Sequence, residues 1–341
     1  MSSSLDAERR LAPVIRLAPA KVNLTLAVLG RRPDGYHDLH SVMVPLGLAD
    51  QLSVSRSTPG AGDSLHVVGF DPGPVAGNLV LRAVDAARSV AQRASGRREP
   101  LAPLATRLEK RIPIAAGLAG GSSDAAAALE AALEAWGVEL DLETRTGLAA
   151  SLGSDVPFFL AGGPALVEGR GERLTALPWL RDTVAADDRP GLLLVTPAVG
   201  IATPASFELW DAGLRSMGGA ARLASAHLAD ELRSGLGVAD LLVRASVLAV
   251  ANDLAPAAAA IEPGLVAFKR ALLRLLARPV GLSGSGPTHW ALYPSIDEAA
   301  TAAELVRAAF AAGDLPAPGG GPPFIVATRI LGGGDAARRA G

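Results

Sequence analysis

The residues best suited to chemistry begin with a loop, Pro113-Ile114-Ala115-Ala116-Gly117-Leu118-Ala119-Gly120-Gly121-Ser122-Ser123-Asp124. Small side chains let backbone N–H groups approach an anion, and a helix following the loop would add unpaired donors and a positive dipole end. Ser122 or Ser123 is placed to cap that helix, or its hydroxyl could instead face a phosphate or a metal ion. An ordinary glycine-rich turn with a serine cap has the same composition. The spacing is not G-x-x-x-x-G-K-[ST], and Gly117, Gly120 and Gly121 do not fit G-x-G-x-x-G, so two common nucleotide loops are excluded.

Three further groups stand apart from their surroundings. Lys21, Asn23 and Thr25 alternate with Val22, Leu24 and Leu26, so in a strand they share one face, which is either solvated or a site. Asp155 is a lone carboxylate entering the apolar run Val156–Leu160, where a helix cap or turn aspartate is the plain alternative. Tyr36 and His37 follow the turn Pro33-Asp34-Gly35, where a loop aromatic by default packs onto the core. Of 32 basic residues only Lys21, Lys110 and Lys269 are lysine, and in an arginine-rich chain a retained lysine suggests a need for a compact, flexible ammonium.

The elements that must position these groups follow from periodicity. Val14–Leu29 reads as a strand pair or one long bent strand, and His40–Leu48 as the next strand. Asn78 caps a helix reaching about Ala94. The alternation of Leu104, Thr106 and Leu108 gives a strand running into the loop, and Leu129, Leu133 and Trp136 give the helix leaving it. A helix starting at Asp141 ends near Gly153, and Ala165–Glu168 with Arg173–Leu177 form a hairpin. After a linker containing Asp187, Asp188 and Pro190 comes the strand Gly191–Thr196. Thr203-Pro204 opens a helix with Thr as cap and Pro at the first helical position, and Phe207 lies on its first turn. Helices continue to Ala277, the last over Gly264–Leu276. Leu282-Ser283-Gly284-Ser285-Gly286 is a second glycine-rich turn before the strand Thr288–Tyr293. Ser295 and Glu298 begin a helix to about Ala312, and Phe324–Ile330 is a closing strand.

Composition narrows the class. At 341 residues the chain can hold two domains; with 49% hydrophobic residues and net charge −2 it is neither disordered nor basic enough for a nucleic-acid protein. There is no cysteine, hence no disulfide or thiolate site, and the five histidines are scattered. No apolar run approaches a membrane span, and the polar start argues against a secretory leader, so a soluble cytoplasmic protein is expected.

The pattern P-x-x-x-G-L-x-G-G-S-S-x-A resembles the second motif of the GHMP kinase superfamily. Pro19-Ala20-Lys21-Val22-Asn23-Leu24, Arg32-Pro33-Asp34-Gly35-Tyr36-His37, Gly153-Ser154-Asp155-Val156-Pro157-Phe158 and Leu282–Gly286 resemble, in order, motifs of its 4-diphosphocytidyl-2-C-methyl-D-erythritol kinase family; the likeness spans residues 14–331. It implies ATP-dependent phosphorylation of the methylerythritol 2-hydroxyl in non-mevalonate isoprenoid synthesis, with ATP and Mg²⁺ as cofactors and a small substrate bearing cytidine diphosphate. By match, Asp155 is the general base and Lys21 its charge partner. Asn78, Lys110 and residues 113–123 (Pro113, Ile114, Ala115, Ala116, Gly117, Leu118, Ala119, Gly120, Gly121, Ser122, Ser123) meet ATP, with Ser122 or Ser123 toward the metal. Asn23, Thr203, Ser285 and Gly286 meet the substrate, while Tyr36 and Phe207 sandwich the cytosine and His37 reads its polar edge.

The fold implied is α/β in two domains: an ATP-binding domain of ribosomal-protein-S5-domain-2-like type over 14–166 and a ferredoxin-like substrate domain over 167–331, with the cleft between them. The closing strand could return to the first domain; 1–13 and 332–341 would be disordered tails; a monomer or weak homodimer is expected. Where many relatives have glycine, Ala115, Ala116 and Ala119 must then adopt negative φ. Asp124, where asparagine is common, adds a charge near the metal or complements the helix dipole. Competing readings are a homoserine- or mevalonate-type GHMP kinase and a catalytically inactive nucleotide-binding regulator.

Overall fold

A computed structural model describes residues 12–58, 60–178, 180, 188–214 and 219–332. Asp187, residues 1–11 and residues 333–341 lie outside the described residues, and with them most of the expected tails.

The strands are β1 (Val14–Asn23), β2 (Ala27–Arg31), β3 (His37–Arg56), β4 (Ser64–Gly69), β5 (Leu104–Lys110), β6 (Ala165–Gly169), β7 (Arg173–Ala176), β8 (Gly191–Thr196), β9 (Gly281–Leu282), β10 (His289–Tyr293) and β11 (Phe324–Arg329). The helices are α1 (Leu79–Ala94), α2 (Gly120–Trp136), α3 (Leu142–Leu152), α4 (Val156–Ala161), α5 (Thr203–Asp211), α6 (Ala220–Arg233), α7 (Val238–Leu248), α8 (Ala255–Ile261), α9 (Gly264–Leu276) and α10 (Ile296–Ala311).

The expected strand His40–Leu48 is the middle of a 20-residue strand, β3, on which the first sheet is assembled. Its first half lies between β2 and β6 and its second half between β1 and β5, so β1 and β2 both pair with β3 rather than with each other. β4, which periodicity did not reveal because its residues are only half-buried at the sheet edge, runs parallel to β5. The second sheet has the order β11-β8-β10-β9, all antiparallel. The closing strand thus belongs to the second sheet; its end touches β3, where Leu48 N donates to Thr328 Oγ1 at 2.8 Å, and the residues just past it return through the bridge Leu46–Ile330 and a 2.8 Å bond from Leu331 N to the Pro45 carbonyl.

Alternation along β8 decides how the sheets are joined. Leu193 and Val195 face Phe268, Leu272 and Val306 of α9 and α10, whereas Leu192 and Leu194 face a core shared with Val22, Val42, Val44 and Leu46 of the first sheet. That continuous apolar layer fixes one sheet against the other. Another core lies on the first sheet's opposite side, under α1, α2 and α3. Local signals end these helices as expected: Asn78 Oδ1 accepts from Val80 N, Asp141 Oδ1 from Thr144 N, and Ser295 Oγ from Glu298 N. Gly137, in the left-handed region, stops α2.

Candidate active site

The loop 111–119 leaves β5 and enters α2 across the seam between the sheets. Ser283 Oγ donates to the Gly117 carbonyl at 2.9 Å, Thr288 N to the Ala116 carbonyl at 3.3 Å and Lys21 N to the Leu118 carbonyl at 3.1 Å. The second glycine-rich turn therefore serves as a bracket for the first. A Cβ on Gly117 would lie 2.3 Å from the Ser283 carbonyl oxygen, at a φ of +76°, so both contact and conformation require glycine there.

Two expectations about this loop are corrected. Ala115 and Ala119 have φ of 51° and 54°, in the left-handed region rather than at negative φ; the tight path between the Ser283 turn and α2 overrides the side-chain preference. Ala119 is itself the N-cap of α2, so neither Ser122 nor Ser123 caps the helix; both lie inside its first turn. The leading N–H groups of α2 have no intrahelical partners and are left for an anion.

A cavity of about 550 Å³ opens where the loop meets β1, α4, α5 and the Ser283 turn. Asn78, Lys110, Pro113 to Gly117 and Ala119 to Ser122 line it, together with Lys21, Asn23 and Asp155 and with Thr203, Phe207 and Ser285. Leu118, Ser123 and Gly286 are buried beside it but do not line it. Residues separated by more than 260 positions thus face one space.

Lys21, Asn23 and Thr25 are buried, so they form an interior polar face and not a solvated one, although Thr25 lies just past the end of β1. Lys21 Nζ donates to Asn23 Oδ1 at 2.7 Å and stands 3.5 Å from Asp155 Oδ2. Asn23 Nδ2 donates in turn to Ser41 Oγ at 2.8 Å, and Ser41 to the Thr25 carbonyl at 2.5 Å. Asp155 occupies the N-cap of α4, but its side chain makes no capping bond. Its carboxylate is paired with Lys21 and partly exposed to the cavity, so it does not act as a capping group.

Lys110 is engaged below the loop rather than reaching outward. Its ammonium pairs with Asp50 and, at 2.7 Å, with Asp124; Asp50 also accepts from Ile112 N at 2.8 Å. A Cβ on Gly120 would lie 3.2 Å from Lys110 Nζ, so the start of α2 rests on this ion cluster. Burial raises the Asp124 carboxyl to about 7, Asp50 adding to the shift and Lys110 opposing it. Two carboxylates around one ammonium favour one retained proton. Periodicity did not point to Asp50, yet it carried a signal: a lone acid directly after the largely apolar run Val42–Ala49, inside β3.

Arg32–His37 forms a self-supporting turn. Arg32 N donates to the Tyr36 carbonyl at 2.7 Å, Asp34 Oδ1 accepts from Tyr36 N at 3.1 Å, Gly35 has φ of 84°, and the Arg32 guanidinium reaches Asp34 and Asp38. It presents Tyr36 half-exposed under Arg170 (5.1 Å to the ring) and His37 nearly buried. Neither lines the cavity as it stands. Phe207 stacks on His37, with centroids 4.6 Å apart and planes at 20°, and Trp210 meets His37 edge-on. His37 Nε2 is 2.9 Å from Asp211 Oδ1. Trp210 and Asp211, which sequence reasoning missed, are the next turn of the helix bearing Phe207. Thr203 is not the cap of that helix: Ala202 is, Thr203 and Pro204 being the first two helical residues. Thr203 Oγ1 instead lies 3.1 Å from Ser285 Oγ.

For a magnesium ion, the cavity offers the Ser122 hydroxyl and the carboxylates of Asp124 and Asp155, all hard oxygen donors. No cluster of three His, Cys, Asp or Glu occurs among the described residues. That donor set fits Mg²⁺, which keeps several waters and is held by one or two protein groups together with substrate phosphates.

Residues 78–163 match the GHMP kinases N terminal domain. A 4-diphosphocytidyl-2-C-methyl-D-erythritol kinase of Pelotomaculum thermopropionicum is 38% identical over 297 residues, covering 86% of this chain and 94% of that protein. A crystal structure of 4-(cytidine 5'-diphospho)-2C-methyl-D-erythritol kinase is 33% identical, with a TM-score of 0.62, covering 92% of this chain and 99% of the other. Homoserine kinase from Cytophaga hutchinsonii aligns with a TM-score of 0.64 at 16% identity over 94% of this chain and 96% of its own, which shows the fold alone. With identity of this order along nearly the whole length of the first two proteins, the chain is a small-molecule kinase of GHMP fold and belongs to the 4-diphosphocytidyl-2-C-methyl-D-erythritol kinase family.

Proposed function

We propose that this protein transfers the γ-phosphoryl group of ATP to the 2-hydroxyl of 4-diphosphocytidyl-2-C-methyl-D-erythritol, giving the 2-phosphate and ADP. The observation that carries the reading is the Lys21–Asp155 pair, which lines one cavity together with the small-residue loop at the start of α2 and Phe207. Asp155 accepts the hydroxyl proton as the oxygen attacks phosphorus. Lys21, held by Asn23, orients that carboxylate and offsets charge on the transferring group. The unpaired N–H groups at the start of α2 and residues 113–123 take the ATP phosphates, with Asn78 and Lys110 toward the nucleoside side. Magnesium, held by Ser122 beside the ATP phosphates, would supply charge neutralisation there when bound.

On the acceptor side, Phe207 is one wall for the cytosine, with His37 stacked behind it, and Tyr36 closes over the other face. Asn23, Thr203, Ser285 and Gly286 border the erythritol and diphosphate. The nucleotide-binding domain extends through the β6–β7 hairpin in this proposal, because β6 pairs with β3 and continues across residues 166 and 167. The substrate domain begins at β8. A monomer or weak homodimer working in the cytoplasm suits a site built from one chain; among the described residues no helix is long and apolar enough to cross a membrane.

The test is ADP release with MgATP and each of three acceptors: the cytidylyl substrate, homoserine and mevalonate. Turnover with the first and background with the others is expected. Comparable turnover with homoserine or mevalonate would replace this reading by a sister kinase.

A further inference from the structure

Lys21 and Lys110 border the active-site cavity, but Lys269, the remaining lysine of the chain, does not. It borders a separate cavity of about 190 Å³ between α8, α9 and the end of the second sheet. Ala258, Leu265 and Leu282 give that cavity an apolar wall, His289 lies at its base, and Arg270 stands next to Lys269 along its border. Lys269 Nζ donates to a single group, the Ala249 carbonyl, at 3.2 Å. Among the described residues no carboxylate pairs with Lys269 or Arg270. Lys269 is partly buried and Arg270 exposed, whereas the fully buried ammonium groups of this chain are matched by acids, Lys21 by Asp155 and Lys110 by Asp50 and Asp124.

A second polar group in the cavity, His289, hydrogen-bonds the Pro287 backbone but leaves one ring nitrogen unpartnered. His289 is buried, and its Nδ1 makes no hydrogen bond. Burial depresses its basicity to about 3, so the ring is neutral at physiological pH. Its edge-on contact with Phe268, centroids 5.4 Å apart, holds the ring in place. A fully apolar cavity would need neither group. An aqueous one would not need the alanine and leucine wall.

We propose that this cavity binds a short-chain organic anion, its carboxylate or phosphate head on Lys269 and Arg270 and its hydrocarbon body against Ala258, Leu265 and Leu282. The volume corresponds to roughly six groups the size of a water molecule, at about 30 Å³ each, which suits a body of five or six carbons. Apolar bodies fixed by a few placed polar groups are the usual composition of small-molecule sites. The Leu282 wall is continuous with the turn that borders the active-site cavity. Asn252 Nδ2 donates to both the Leu282 and the Gly284 carbonyls at 2.9 Å, and Gly284 lines the active-site cavity.

Calorimetric titration of the full-length protein with hexanoate, hexyl phosphate and hexanol, with and without saturating MgATP, tests this. The expected result is saturable one-to-one binding of at least one of the two anions, at least tenfold tighter than hexanol and unaffected by MgATP. Which anion binds more tightly identifies the head group. Lys269→Met should weaken the anion at least tenfold while leaving hexanol unchanged. Ala259→Leu, which fills the cavity without touching either cation, should abolish binding of all three, and it serves if Lys269→Met does not fold. Equal binding of hexanol and both anions, competition by MgATP, or full binding by Ala259→Leu would overturn the proposal.

Discussion

At the scale of the residue, the carboxylate of Asp155 is the most consequential feature. A helix N-cap aspartate ordinarily gives its oxygens to backbone N–H groups; this one makes no such bond and faces Lys21 instead. Asp155→Asn should therefore bind both substrates with little change and lose about 10²–10⁴-fold in kcat, the usual contribution of a general base. Single-turnover kinetics with separate Kd measurements check this, and a near-normal kcat would remove Asp155 from that role. Lys21→Arg keeps the charge but should lose most activity. The ammonium fits between Asn23 Oδ1 at 2.7 Å and the carboxylate, a space a planar fork does not share; a rate within twofold of the parent would contradict the argument. Asp124 provides a test by pH. Its folded carboxyl is raised to about 7, above the unfolded value near 4, so the folded state keeps a proton that the unfolded chain has released. Stability is therefore lost as pH rises from about 4 to about 7. Asp124→Asn cannot titrate, so its Tm relative to the parent should rise between pH 5 and pH 8. An equal difference at both pH values would show that Asp124 is not the group that holds the proton.

At the scale of the element, most of the site was legible because motif and element boundaries coincide. Alternation at Leu104–Leu108 and the recurrence of Leu129, Leu133 and Trp136 bracketed the loop correctly, and both are found as β5 and α2. Cap chemistry was readable where a side chain acts on its own helix, as at Asn78, Asp141 and Ser295. It misled at Ser122, Ser123 and Thr203, because there the approach of another segment decides where the helix begins. The positive φ of Ala115 and Ala119 was hidden for the same reason: the loop they belong to is held by segments distant in sequence, Ser283 bonding the Gly117 carbonyl and Ile201 N the Ala115 carbonyl. The helix α5 carries the element-scale prediction. Phe207, Trp210 and Asp211 grip His37 by face, edge and hydrogen bond, so the helix and the Arg32–His37 turn form one unit remote from Asp155. Phe207→Ala and Tyr36→Ala should raise KM for the cytidylyl substrate, at roughly 1–3 kcal/mol per stacked ring, and leave KM for ATP nearly unchanged. Loss of thermal stability with equal weakening of both substrates would make the rings core residues instead.

At the scale of the molecule, two sheets share one apolar layer, and the cavity opens along the line where they meet. Hydrophobic patterning could show that β8 is buried on both faces but not what each face touches. Its Leu192 and Leu194 proved to meet the first sheet, while Leu193 and Val195 meet the second sheet's own helices. The same limit hid the ion cluster of Asp50, Lys110 and Asp124, whose members come from three elements. The architecture itself does not choose the acceptor, since a homoserine kinase aligns over most of the same fold. The choice rests on Phe207 and the Lys21–Asp155 ion pair acting together in one cavity. Phosphorus NMR of the reaction with MgATP and 4-diphosphocytidyl-2-C-methyl-D-erythritol tests that union most directly. The account predicts one new phosphomonoester for each ADP formed, with the substrate's diphosphate resonances intact. ADP without a new ester, or no reaction at all, would contradict it.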